Sequence, residues 1–223
     1  MINMRKSTLI LLMAMSILGL TGCAGRVEKK DDNKLYIEPA QLTEEEENIA
    51  ELLGAGDKFE IYDFVLDDTV QCIQVNTYRL ANGEWKLVSG GGGRAFTDKK
   101  GRIALEFEKL AKGLGVTIQS ENTGGGESYK AELEEELEQL ESYGTSRLSE
   151  KTEIVYEEEI PLIMQVMTSK NSCHVYQVEE GFYNPERYEE LGYEAVYAVT
   201  IRFSQKTVAQ MGELDSDNWY KEE

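Results

Sequence analysis

One histidine, His174, and three cysteines, Cys23, Cys72 and Cys173, carry most of the nucleophilic and metal-binding chemistry open to this chain. A single imidazole excludes a metal centre built on two or three histidines. Any Ser–His or Cys–His catalyst must therefore use His174. Cys173 directly precedes His174, but neighbours on an extended strand point to opposite faces, so the two do not meet there. A Cys72–His174 dyad is the other thiol arrangement, and no catalytic motif surrounds either residue. Cys72 and Cys173 also offer one intramolecular disulfide, closing a loop of about 100 residues for up to ~4–5 kcal/mol in the chain-entropy account. Cys72 alternates opposite to Ile73 and Val75, which turns it outward and favours two unpaired thiols.

The run Ser89-Gly90-Gly91-Gly92-Gly93-Arg94-Ala95 contains a G-x-G-x-x-A string. A dinucleotide site needs a helix next, whose N-terminus meets the pyrophosphate. Phe96-Thr97-Asp98 and a second turn follow instead, and the Gly-Lys-Ser/Thr of a P-loop is missing. The run reads as a mobile loop or bulge, with an anion-binding nest of Arg94, Lys99, Lys100 and Arg102 as the second reading. Forty-two acids offer too many pairs for a glycosidase dyad to be assigned by spacing. Asp67-Asp68 and Asp215 with Asp217 lack the glycine and closing glutamate of an EF-hand loop. Trp85, Tyr183, Tyr188 and Trp219 could stack on sugar rings, although strand aromatics are more often half-buried. No cofactor and no metal is expected.

The elements that must position these residues are mostly strands. Thr43 with Glu46 three residues on is a capping box, so Glu44 to Glu47 open a helix that ends at Gly54. Phe59 to Leu66 is apolar on both faces. Ile73, Val75 and Thr77 alternate with polar neighbours and run into Asn82-Gly83, a two-residue hairpin turn with Trp85 and Leu87 on the return. Ile103, Leu105 and Phe107 alternate, as do Leu114, Val116 and Ile118. Residues 122–150 interrupt this rhythm with an acidic helical insertion carrying Leu133, Leu137 and Leu140 on one stripe. Strands return at Ile154–Tyr156 and Leu162–Thr168, where Pro161 marks an edge, bend or break. Asn184-Pro185 to Gly192 is a short helix with an N-cap and a closing glycine. Tyr197, Val199, Ile201 and Phe203 make a last strand with one buried face, and an acidic tail, 206–223, frays. The expectation is mainly β: one antiparallel β-sandwich over 42–205, with two or three short helices.

Arg5 and Lys6 precede an apolar run of twelve residues, Leu9–Leu20, too short to span a bilayer of ~20 helical residues. Leu20-Thr21-Gly22-Cys23 follows. This resembles the lipobox of bacterial lipoproteins. The resemblance implies a signal peptide over 1–22, diacylglycerol on the Cys23 thiol, and a membrane anchor on the extracytoplasmic face. Residues 23–41, polar and mixed in charge, then read as a flexible tether. Acids outnumber Lys plus Arg by 42 to 23, a net charge of −19, and losing Arg5 and Lys6 with the leader makes it −21. That balance argues against nucleic-acid binding, and it holds the body away from anionic head groups.

Thr97-Asp98-x-x-Gly101, the strand Ile103–Phe107, Leu110-x-x-Gly113 and the strand to Ile118 resemble transthyretin-like and collagen-adhesin B-type domains. The likeness implies an immunoglobulin-like or transthyretin-like sandwich of seven or eight strands, and no activity. It departs at Gly115, where those domains usually carry a tyrosine. The chain as a whole resembles lipoproteins of Gram-positive anaerobes. The expected function is a lipid-anchored, extracytoplasmic, non-enzymatic binding module for a cell-wall or carbohydrate ligand. A protein-partner or adhesion module is the first alternative, and a thiol transpeptidase or carboxylate hydrolase the second.

Overall fold

The computed structural model describes residues 34–223, apart from 53, 55–57, 91, 132–136, 138, 141, 212–219 and 221–223. Two antiparallel sheets face each other. Sheet A comprises β1 (Tyr36–Pro39), β2 (Phe59–Val65), β6 (Lys100–Glu106), β7 (Gly113–Ser120), β8 (Gly124–Lys130) and β10 (Thr152–Glu153), in the order β10-β1-β2-β6-β7-β8. Sheet B runs β4-β3-β12-β11-β9, from β3 (Cys72–Ala81), β4 (Glu84–Ser89), β9 (Ser142–Arg147), β11 (Glu159–Thr168) and β12 (Ala195–Ser204). The two-residue β5 (Arg94–Ala95) adds to β3 beside β4. The protein is thus a mainly β antiparallel sandwich with four short helices among the described residues: α1 (Glu44–Leu52), α2 (Val178–Tyr183), α3 (Glu186–Leu191) and α4 (Val208–Met211).

Alternation places the inner faces. Ile103 and Leu105 of β6, Leu114, Val116 and Ile118 of β7 and Tyr62 and Phe64 of β2 turn toward Ile73, Val199, Ile201 and Phe203 of sheet B, all buried. Phe64 meets Phe203 with ring centres 5.3 Å apart, and the Tyr62 hydroxyl donates to the Leu162 carbonyl across the sandwich at 3.1 Å. Gln165 of β11 is wholly buried, yet its amide is satisfied. Its Oε1 accepts from the Leu110 N–H at 2.8 Å, and its Nε2 donates to the Glu108 carbonyl and to Thr145 Oγ1.

The hairpin turn forms as its sequence dictates. Asn82 and Gly83 both take positive φ, 52° and 76°, and Ala81 pairs with Glu84 across the two-residue loop. The capping box also forms: Thr43 N–H donates to Glu46 Oε2 at 2.8 Å, and Glu46 N–H to Thr43 Oγ1 at 3.3 Å. Glu46 then reaches Arg102 of β6 at 2.8 Å, which pins α1 to the outer face of sheet A.

Several expectations need correction. There are twelve strands rather than seven or eight. The extra ones are short or polar segments with no apolar alternation: Tyr36–Pro39, expected in the tether, pairs with β2, and β8 and β9 occupy what was read as a helical insertion. Within that insertion Leu137 and Leu140 are buried, while Leu133 lies outside the described residues. Ile154–Tyr156 is not a strand; the pairing residues are Thr152 and Glu153. β12 is buried on both faces rather than one, because α2, α3 and the chain around them cover the outer face of sheet B. Pro161 marks a bend inside a central strand, where the β11–β12 register shifts between Pro161 and Ile163. Asn184 caps no helix start; its side chain donates back to the Glu180 carbonyl of α2. The tail does not simply fray, for α4 forms and Tyr220 N–H donates to the Leu87 carbonyl at 2.8 Å.

The Thr43 N–H and then the Arg102 guanidinium hold the Glu46 carboxyl down from 4.5 to about 2. A depressed carboxylate contributes stability above its unfolded value and loses it as pH falls through the folded one. Glu46→Gln should therefore melt below wild type at neutral pH. The difference should shrink below pH ~4.5 and vanish near pH ~2, as read by thermal melts across that range.

Candidate functional site

The thiols and the histidine do not come together. Cys72 starts β3 opposite Ser204 and Ala95 and is wholly buried. Its parity is as expected, on the face opposite Ile73 and Val75, but β5 and the glycine run cover that face. A Cβ on Gly93 would sit 2.2 Å from Cys72 Sγ, so only glycine lets the loop close over the thiol. Burial pushes the Cys72 thiol up, which keeps it a poor nucleophile. Cys173 is half-buried against Gly144 and Val175, beyond the Val196 end of β12. Eight residues of β12 separate Val196 from Ser204, roughly 26 Å at ~3.3 Å per residue. A Cys72–Cys173 disulfide needs Cα atoms within ~7 Å and is ruled out by that span, and both cysteines are free. His174 lies at the same far end, its N–H donating to the Tyr193 hydroxyl at 2.7 Å, so the Cys72–His174 dyad fails for the same reason.

The basic island disperses as well. Arg94 Nη1 reaches the Gly125 carbonyl of β8 at 2.6 Å and ties the two sheets together. Arg102 is held by Asp63 at 2.7 Å and by Glu46, and Lys99 lies 3.5 Å from Asp68 on the surface. Lys100 sits two strands and three residues from Gly125, roughly 14 Å in backbone terms. Nothing converges on one anion. The glycine run is not simply mobile either, since Arg94 and Ala95 pair with β3.

Asp67 accepts from the Thr69 N–H and hydroxyl and from the Tyr156 hydroxyl, a turn bolted to the body rather than a cation loop. Among the described residues no group of three or more His, Cys, Asp or Glu could hold a metal. Asp215, Asp217 and Trp219 lie outside them. Trp85 is stacked on Phe182 at 5.4 Å, with its Nε1–H donating to the Phe182 carbonyl. Tyr188 is buried, its hydroxyl accepting from the Tyr176 N–H. Of the three described candidates for sugar stacking only Tyr183 is mainly exposed, at 60%, and its ring meets Phe182 at 5.3 Å while its hydroxyl donates to the Glu159 carbonyl.

Concave features among the described residues escaped the sequence, and two of them bear on ligand binding. The first is a groove of about 550 Å³ where the 3-10 turn Leu110–Lys112 meets the end of β8. Lys58, Lys109, Lys112 and Lys130 line it beside Glu106 and Glu108. Four lysines against two acids make the groove locally positive on a chain whose net charge is −19. The buried Gln165 clasps Glu108 and Leu110 and so fixes the turn that carries Lys109 and Lys112. Lys109 Nζ also donates to the Leu140 carbonyl at 3.0 Å. Lys58 and Lys130 lie far in sequence from the turn that carries Lys109 and Lys112, and only the sheet brings them to it.

The second is a cleft of about 190 Å³ at the seam between sheets, walled by Val75, Leu114, Val116 and Tyr129 with Ser89, Gly90 and Glu127 at its mouth. Burial pushes the Tyr129 hydroxyl up to about 12, and it donates to the Leu110 carbonyl. No protein family, curated protein or solved structure matches the chain.

The thiol geometry has a direct readout. In a Cys23→Ser chain, a charged thiol reagent should label Cys173 in the native state and Cys72 only after denaturant is added. Non-reducing and reducing mass spectra should agree. Fast native labelling of both thiols would contradict the burial.

Proposed function

We propose that this chain is a lipid-anchored, extracytoplasmic binding module that takes an anionic ligand of the cell wall. The lysine-lined groove carries this reading. Its volume falls inside the ~300–1,000 Å³ range of ligand sites. A positive recess on a negative body also selects anions, because the surrounding acids repel any anion that approaches elsewhere. Phosphate- or carboxylate-bearing polymer fits this better than neutral sugar, since Trp85 and Tyr188 are engaged inside the fold.

The anchor rests on Leu20-Thr21-Gly22-Cys23, which lies outside the described residues. Two acyl chains hold a protein on a membrane where one chain binds only marginally. The acidic body then stands off the head groups and leaves the groove to the wall. The thiol-transpeptidase alternative loses its support, because the Cys72–His174 pairing it needs is separated along most of β12.

The test is a melting series with poly(glycerol phosphate), a neutral glucan and calcium. Poly(glycerol phosphate) at a hundred times its dissociation constant should add ~2.7 kcal/mol, a shift of about 5–10 °C. The shift should fall as salt is raised. Lys112→Glu, at an exposed position, should abolish it without lowering the ligand-free melt. An equal shift with neutral glucan would overturn the anionic reading. In cells, Cys23→Ser should move the protein from the membrane to the soluble fraction.

A further inference from the structure

Among the described residues, no strand lies beyond the far edge of sheet A. β8 is the last strand of its sheet, and six of its seven residues are exposed. Its hydrogen-bond phase is fixed at both ends: Ser120 N–H donates to the Thr123 carbonyl, and Ala131 N–H to the Lys112 carbonyl. Antiparallel pairs alternate, so Gly125, Glu127 and Tyr129 exchange bonds with β7. The N–H and C=O groups of Gly126, Ser128 and Lys130 therefore point away from the sheet, and no described residue pairs with them.

We infer that β8 accepts an extended peptide as an added antiparallel strand. The peptide would carry a cation opposite Glu127, an apolar side chain opposite Tyr129 and an acid opposite Lys130. Each preference has a local cause. A side chain of the added strand opposite Glu127 or Tyr129 turns to the inner side of the sheet, onto the seam cleft. At about 190 Å³ that cleft is too small for a typical ligand and suits a single apolar side chain. Glu127 at its mouth asks for a cation, and Lys130 on the outer face asks for an acid. Opposite Gly126 no side chain obstructs approach, so main-chain bonds set affinity and the charged pair sets register. Arg94, bonded to the Gly125 carbonyl, closes the seam above and gives the added strand its stop.

The probe is a capped synthetic peptide, Thr-Glu-Val-Thr-Lys-Tyr-Thr, against its isomer with glutamate and lysine exchanged. Both are titrated by fluorescence anisotropy into the full chain in detergent micelles. The first peptide should bind at least tenfold tighter than its isomer. Glu127→Lys, at an exposed site, should erase or invert that preference. Ser128→Pro removes an N–H that β7 does not use, and it should abolish binding while leaving the melt in place. Equal binding of the isomers, no saturable binding, or binding unaffected by Ser128→Pro would overturn the inference. Lys112→Glu should leave the peptide affinity unchanged, so failure here and failure of the lysine groove are read separately.

Discussion

The pairing of β11 with β12 governs the rest of the structure, because both strands are buried on both sides. A strand covered on two faces needs two layers, and the chain supplies them from different material. Sheet A covers the inner face with ordinary alternating strands. The outer face is covered by α2, α3 and the loops around them, whose Val178 and Tyr188 are buried. Burying two such strands also buries their polar side chains. Gln165 answers this by bonding the Glu108–Leu110 turn, so the lysine groove owes its shape to a core amide on the opposite sheet.

Acids hold much of the outer layer together. Glu159 accepts from Asn76 Nδ2 at 2.9 Å, from the Tyr78 hydroxyl at 3.2 Å and from Thr200 Oγ1, linking β3, β11 and β12. Burial and that carboxylate's charge raise the Tyr78 hydroxyl well above its ordinary range. Glu157 takes a positive φ of 70°, uncommon for a residue with a side chain. Its carboxylate accepts from Ser204 Oγ at 2.6 Å and from the Gln205 N–H, which holds the turn before β11 against the end of β12. Hydrogen bonds to a charged acceptor are stronger than neutral ones, so a chain this acidic recovers stability from charges that would otherwise repel.

What could be read beforehand follows from the range of each signal. The Asn82-Gly83 turn and the Thr43–Glu46 box are set within four residues, and both formed as their sequences dictate. Alternation at Ile103–Leu105 and Leu114–Ile118 placed one face of sheet A. β8 and β9 were missed because Gly-Gly-Gly-Glu-Ser-Tyr-Lys and Ser-Tyr-Gly-Thr-Ser-Arg carry no apolar alternation, and only their neighbours make them strands. The parity of Cys72 was right and its exposure wrong, since parity names a face and says nothing of what lies over it. The site was illegible for a related reason. Lys58 reaches the Lys109–Lys112 turn only through the register of β2 with β6, and Lys130 only through that of β7 with β8, whereas Lys99, Lys100 and Arg102 are close in sequence and spend their charges apart.

An open sheet leaves edges, and natural sheets guard them by shortening, charging or covering them. Three of the four edges here are treated in that way. β10 is two residues long, and Lys151 beside it lies over the Tyr36 ring. β4 is met by Tyr220 through the Leu87 carbonyl. β9 is mostly half-buried, with Cys173 and Val175 against Gly144. β8 is neither shortened nor covered by any described residue: it is seven residues long, exposed, and opens on three glycines, with only the charges of Glu127 and Lys130 to guard it. A bare edge invites self-pairing, and the side chains on β8 act against it. Centring two copies on the same residue would set Glu127 against Glu127, and like charges directly opposite are destabilising. The net charge of −19 adds repulsion between whole molecules. An edge that is open to pairing yet discourages its own copy is what a strand acceptor for a different chain requires.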